Sequence, residues 1–185
     1  PPEPDDFRRY LEDSGAEAWG KAVDRLLASP QFGERSAQSW LDAARYSDTT
    51  GYAADKPREM WVYRQWVIDA LNADMPFDQF TIEQLAGDML PGSTASQKVA
   101  SGFHRNSMQA LGNNPRKEEF RVKGVIDRVN TTGRVWLGTS LECAECHDHK
   151  YDPFSQRDYY RVFALFNNIP HYGEGYGVYG PRMKV

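Results

Sequence analysis

The stretch RKEEFRVKGVIDRVNTTGRVWLG, residues 116–138, decides how this chain folds. Val122, Val125, Ile126, Val129, Gly133 and Trp136 recur along it at helical intervals. That is one buried face of a helix, sustained for about six turns. The flanking sequence carries the same period. AWGKAVDRLLAS (18–29) sets Trp19, Val23, Leu26 and Leu27 on one helical face. Ser29 and Pro30 then read as the N-cap and first position of the next helix. REMWVYRQWVIDALNAD (58–74) and FDQFTIEQLAG (77–87) continue the pattern. TASQKVASGFHRN (94–106) opens on a Thr94/Gln97 capping box. Ser155 starts SQRDYYRVFALFNN, which ends near Pro170. Convincing alternating strands are missing.

The expectation is a mostly α protein: a single helical domain over residues 17–170 with long loops at 47–57, 88–93 and 105–115. Loops of that length often carry function. Residues 1–16, opening PPEPDD, read as a linker or N-terminal extension. With no initiator Met, the chain reads as a piece of something longer. Residues 171–185 read as an irregular Gly- and Tyr-rich C-terminal segment.

The 185 residues suffice to bury one core, and 40% of them are hydrophobic. A net charge of −4 gives no reason to expect a nucleic-acid partner. No apolar run approaches the ~20 residues of a membrane span. Two cysteines cannot build a four-thiolate cluster or four-cysteine zinc site within one chain.

Both cysteines fall in LECAECHDHKYDP (141–153), beside two of the four histidines. Cys143, Cys146 and His147 stand at i, i+3 and i+4, and on an α-helix they would share one face. This spacing is the C-x-x-C-H signature of c-type haem attachment, in which two thiols tether the ring and the histidine binds iron. The fold expectation therefore includes loops enclosing a covalently bound haem c. The alternatives are a disulfide, a thiol redox pair and a zinc clip of Cys143, Cys146, His147 and His149. The disulfide would close a tiny loop and be a weak staple. The redox pair usually sits near a βαβ pattern, absent here. The zinc clip would crowd its four ligands into seven residues.

Several long stretches carry a family resemblance. They are VDRLLASPQFGER, WLDAARYSDTTGY, YRQWVIDALNADMPFDQFTIEQLAGDMLP, GFHRN, EEFRVKGVIDRVNTTGRVWLGTSLECAECHDHKYDP and YYRVFALFNN. Together they resemble the second cytochrome c-like domain of large exported proteins of planctomycetes and related bacteria. About residues 20–170 are covered. The resemblance implies an exported bacterial domain, periplasmic or at the cell surface, carrying one covalent haem c within a longer polypeptide. The partners it implies are other redox domains of that polypeptide, or an exported electron carrier.

The ligand opposite His147 separates an electron carrier from a catalyst, because a second strong ligand closes the iron. His104 is the candidate distal ligand and Met108 the second choice. His149 reads as a hydrogen-bonding or surface residue, and His171 as an exposed one. Arg45, Arg64, Arg105 and Arg128 lie on predicted helices or at their ends, and Arg105 and Arg128 are the best placed to neutralise haem propionates. Asp48 and Asp55 flank a Gly-containing turn that reads as a plain turn in preference to a calcium loop. Trp40, Trp61, Trp66 and Trp136 read equally as haem wall or ordinary core. The preferred function is monohaem electron transfer. The alternative is a haem enzyme or gas/redox sensor with an open distal site.

Overall fold

The computed structural model describes residues 2–51, 55–108 and 117–168. Among these residues it is mostly helical, with eight α-helices and no named strand. They are α1 (Pro4–Glu12), α2 (Ala18–Leu27), α3 (Pro30–Ala43), α4 (Trp61–Asn72), α5 (Phe77–Ala86), α6 (Ala95–Ala100), α7 (Lys117–Thr132) and α8 (Gln156–Asn167). No helix among the described residues is long and apolar enough to cross a membrane.

The main core forms where α3 and α4 pack together. Small residues on α3, Ala37 and Ala44 at its end, face Tyr63, Trp66, Val67 and Ala70 of α4. Phe80, Ala100 and Phe103 close this core. Trp66 stacks on Phe80 at 5.4 Å, and Trp40 meets the same ring edge-on at 4.8 Å. The polar edges inside are satisfied, as burial requires. Gln84 is fully buried and its Oε1 accepts from both Trp40 Nε1 (2.9 Å) and Tyr63 OH (2.7 Å). Its own amide donates to Phe80 O. Trp40, Trp66 and Trp136 are thus core residues, whereas Trp61 is exposed.

A second, smaller core carries the cysteine motif. Val129 of α7 and Tyr159 of α8 enclose Leu141 and Ala144, with Phe154, Val162, Phe163 and Phe166 around them. The chain enters it through a π-helical turn, Gly133–Leu137, that extends α7. Gly138 then takes a left-handed conformation (φ 62°) and ends the helix, the role to which glycine is suited.

Local signals in the sequence are realised at several helix starts. Thr94 and Gln97 form the expected capping box, and Ser155 forms another with Asp158. Ser29 is the N-cap of α3, but its hydroxyl donates backwards to Leu26 O. The segment read as a linker or N-terminal extension contains α1, whose Pro4 start and paired acidic residues Asp5 and Asp6 suit a helix N-terminus. The apolar face of α2 does not enter the core: Trp19 is 68% exposed and Leu27 53%, because α2 packs only lightly between α1 and α3. The loop at 47–57 is pinned by a bridge between Thr49 and Pro57, and Gly87–Met89 forms a 3-10 turn. Most of the 105–115 loop, residues 171–185 and His171 lie outside the described residues.

Candidate functional site

Leu141–Glu145 is a 3-10 helix that stops at Cys146, not the α-helix that the spacing suggested. The change alters how the motif works. In a 3-10 helix residues i and i+3 eclipse. Leu141 and Ala144 therefore point together into the small core, and both are buried. Cys143 and Cys146 lie one three-residue step apart on the outside, both exposed and both free thiols. The segment is anchored by its apolar pair and presents its thiol pair to solvent. His147 follows in a bend and is exposed.

The hydrogen bonding of His147 fixes its chemistry. Nδ1 lies 2.7 Å from the carbonyl oxygen of Asp148. A carbonyl only accepts, so Nδ1 carries a proton, and in the neutral ring the lone pair is then on Nε2. A histidine that ligates a metal through Nε2 characteristically donates its other N–H in this way. The free thiols and this tautomer fit the donor set that c-type haem attachment requires.

Beyond the motif the chain closes into a stapled loop. His149 N donates to Phe154 O (2.8 Å), and Asp148 Oδ1 accepts from Gln156 N at the start of α8 (2.8 Å). His149 Nδ1 accepts from Asp152 N (2.9 Å), and Thr139 Oγ1 donates to Asp152 Oδ2 (2.6 Å). The His149 side chain is 6% exposed. The hydrogen-bonding reading of His149 holds, and the surface reading does not. Among the described residues no group of three or more His, Cys, Asp or Glu side chains is gathered as a metal site would be.

His104 sits in the interior at the end of α6, in the 3-10 turn Ser101–Arg105. Its ring lies 5.2 Å from Phe103 and 5.1 Å from Phe166. Nε2 donates to Leu85 O at 3.1 Å, while Nδ1 is buried without a partner. Burial pushes its pKa down to about 4, with Arg128 and Arg45 adding to the effect against the opposing Leu85 hydrogen bond. The ring is neutral at neutral pH, with its lone pair on Nδ1. Met108 is 64% exposed, packed beside Gly51.

The arginines separate by role. Arg64 lies at the surface, over Tyr46 and within 3.5 Å of Asp48. Arg45 pairs with Asp127 of α7. Arg105 is half-buried and Arg128 is 1% exposed. Arg128 Nε donates to His104 O (3.0 Å). Arg58, for which the sequence offered no signal, is buried and donates to the carbonyls of Ser47, Arg105, Asn106 and Ser107. Its partners are backbone groups distant in sequence, so no residue pattern announces them. The carboxylates once weighed for calcium are occupied: Asp48 accepts from Tyr46 and Arg64, and Asp55 accepts from Gly51 N.

With this geometry in place, comparison with protein families is informative. The family model PSCyt2, described as a protein of unknown function (DUF1549), matches residues 1–171. The chain belongs to the PSCyt2 family. The match includes α1. No curated protein and no solved structure matches the chain.

Proposed function

We propose that this PSCyt2 chain is a monohaem c-type cytochrome domain that passes electrons within a larger exported protein. The observation that carries the reading is the 3-10 turn at Leu141–Glu145. It displays two free thiols one step apart and is followed by a histidine whose Nε2 lone pair is available. Cys143 and Cys146 would hold the ring through thioether bonds, and His147 would ligate its iron. The haem supplies reversible one-electron chemistry, and the protein supplies orientation and electrostatics.

The chain's own residues divide the remaining work. Leu141 and Ala144 lock the turn into the small core, so the thiols are presented in fixed register. The His149 loop ties the segment after His147 to α8. His104 is the distal candidate through Nδ1, with Met108 as second choice, and Arg105 and Arg128 are the candidate propionate partners. Electrons would come from and go to other redox domains of the same polypeptide, or an exported carrier.

A second reading, a haem enzyme or sensor with an open distal site, is favoured by one observation. His104 is buried and committed to Leu85 O, whereas His147 is at the surface.

The test is an absorption spectrum of the chain produced with a c-type maturation system, oxidised and reduced, with a pyridine control under denaturing conditions. A covalent, low-spin haem whose spectrum changes in His104→Ala supports the carrier. A covalent, high-spin, ligand-responsive haem supports the second reading. Absence of covalent haem rejects both.

A further inference from the structure

A cationic cluster lies inside the fold. Three guanidinium groups, those of Arg45, Arg58 and Arg128, converge on the short segment His104–Ser107. Arg128 Nε donates to His104 O. Arg58 donates to the carbonyls of Arg105, Asn106 and Ser107. Arg45 Nη2 donates to Ser107 Oγ at 3.2 Å. Arg105 is itself part of the segment.

Among the described residues, the carboxylates that act on this cluster are shared with other groups. Asp127 acts on Arg45, Arg58 and Arg128, yet it is paired with Arg45, whose Nε lies 2.8 and 2.9 Å from its two oxygens. Asp48 acts on Arg58 from the surface and is shared with Tyr46 and Arg64. Asp88 acts on Arg105. Arg128 is left with the like charges of Arg45 and Arg105.

Two residues of this region carry unsatisfied buried polar atoms. Arg128 Nη1 is buried without a partner, in a side chain 1% exposed. Asn106 is 2% exposed, and both its Nδ2 and its Oδ1 lack partners. Buried groups of this kind are expensive unless something satisfies them. The backbone also carries a cost for the cluster. Arg45 sits at φ 53°, at the left-handed C′ position closing α3, where Tyr46 N donates to Leu41 O and Arg45 N to Asp42 O. Glycine is the usual residue there. An arginine at that position places a guanidinium between Asp127 and Ser107.

We propose that Arg128 and Asn106, held by the His104–Ser107 segment, form a buried binding site for a small oxyanion of carboxylate or phosphate type. Arg128 Nη1 and Asn106 Nδ2 donate to it, and Arg45 and Arg105 supply the surrounding positive field. Burial lowers the pKa of Arg128 only to about 10, so the charge is present at neutral pH. The oxyanion has two possible sources, a free ion or a propionate of the haem; only the second rests on the cytochrome reading.

The experiment uses the 185-residue chain prepared with and without covalent haem. Thermal unfolding and calorimetric titration are followed with inorganic phosphate and with acetate, against chloride at constant ionic strength. The expected result for the haem-free chain is saturable stabilisation by an oxyanion, lost in Arg128→Gln and in Asn106→Leu. Asn106→Leu keeps the measurement interpretable if Arg128→Gln fails to fold. It removes two unsatisfied atoms, so it should be at least as stable as the parent in chloride while losing the oxyanion-dependent gain. The same binding in the haem-loaded chain identifies a free ion as the occupant. Its disappearance on haem loading identifies a propionate. A chain that never takes up haem yet binds the oxyanion rejects the cytochrome reading and leaves this site standing. Absence of saturable binding, or binding unchanged in both variants, overturns the proposal.

Discussion

Arg45 reaches Asp127 from a left-handed backbone position, joining the end of α3 to the middle of α7. The side chain that makes the pair sits where a glycine would be more comfortable. Arg45→Ala removes the pair and keeps the backbone cost. Arg45→Gly removes the pair and relieves the cost. The expected outcome is that Arg45→Gly is the more stable of the two by about 1 kcal/mol, while both fall below the parent. Urea unfolding of the three proteins checks this. Equal stability of the two variants would show that the conformation costs nothing.

The exposed thiols should be separable from the fold. Cys143 and Cys146 are exposed and unbridged, whereas Leu141 and Ala144 between and before them are buried. Cys143→Ser and Cys146→Ser in the haem-free chain should each change stability by less than about 0.5 kcal/mol. The same substitutions should abolish the two-thioether attachment in the matured protein, read from the pyridine spectrum. Loss of folding in the haem-free variants would mean that the cysteines are structural.

Gly133 marks the closest approach of the π-turn to the motif. A Cβ at this position would lie 2.7 Å from Leu141 Cγ and 2.8 Å from Cδ1. Gly133→Ala should therefore destabilise the chain by about 1–3 kcal/mol through overpacking, more than the better helix propensity of alanine returns. Denaturant titration gives the magnitude. A stabilised variant would show that the two turns separate at no cost.

Gln84 holds two donors on a single buried oxygen. Gln84→Leu leaves Trp40 Nε1 and Tyr63 OH without their acceptor. Each unsatisfied group costs about 1–3 kcal/mol, so the variant should lose several kcal/mol. Pairing it with Tyr63→Phe should recover part of the loss, because that change removes one of the stranded donors. Thermal denaturation of the single and double variants provides the comparison.

The cap of α8 should give a pH-dependent contribution. Ser155 Oγ and Ser155 N donate to the Asp158 carboxylate and hold its pKa below the ordinary value of 3.8, with Arg161 assisting. A carboxylate whose folded pKa is depressed stabilises the fold above its unfolded pKa. It loses that contribution as pH falls through the folded value. The stability gap between the parent and Asp158→Asn should be fully present at neutral pH and close in acid, below the ordinary carboxylate range. A gap independent of pH would assign it to packing.

The sequence by itself determined the helical class, the position of most helices and the identity of the thiol–histidine motif. These are local matters: a 3.6-residue period, a Thr94/Gln97 box and a three-residue spacing are written in adjacent residues. The apolar face of α2 was equally legible, but periodicity records only that a face exists and not whether a partner covers it. Only the tertiary structure decided that the motif is a 3-10 turn, because the left-handed Gly138 and the closeness of Gly133 to Leu141 leave no room for a longer helix. It alone brought Arg45, Arg58 and Arg128 around His104–Ser107. Those contacts span up to 82 residues and end largely on backbone carbonyls, which every residue possesses and which no pattern of side chains can announce.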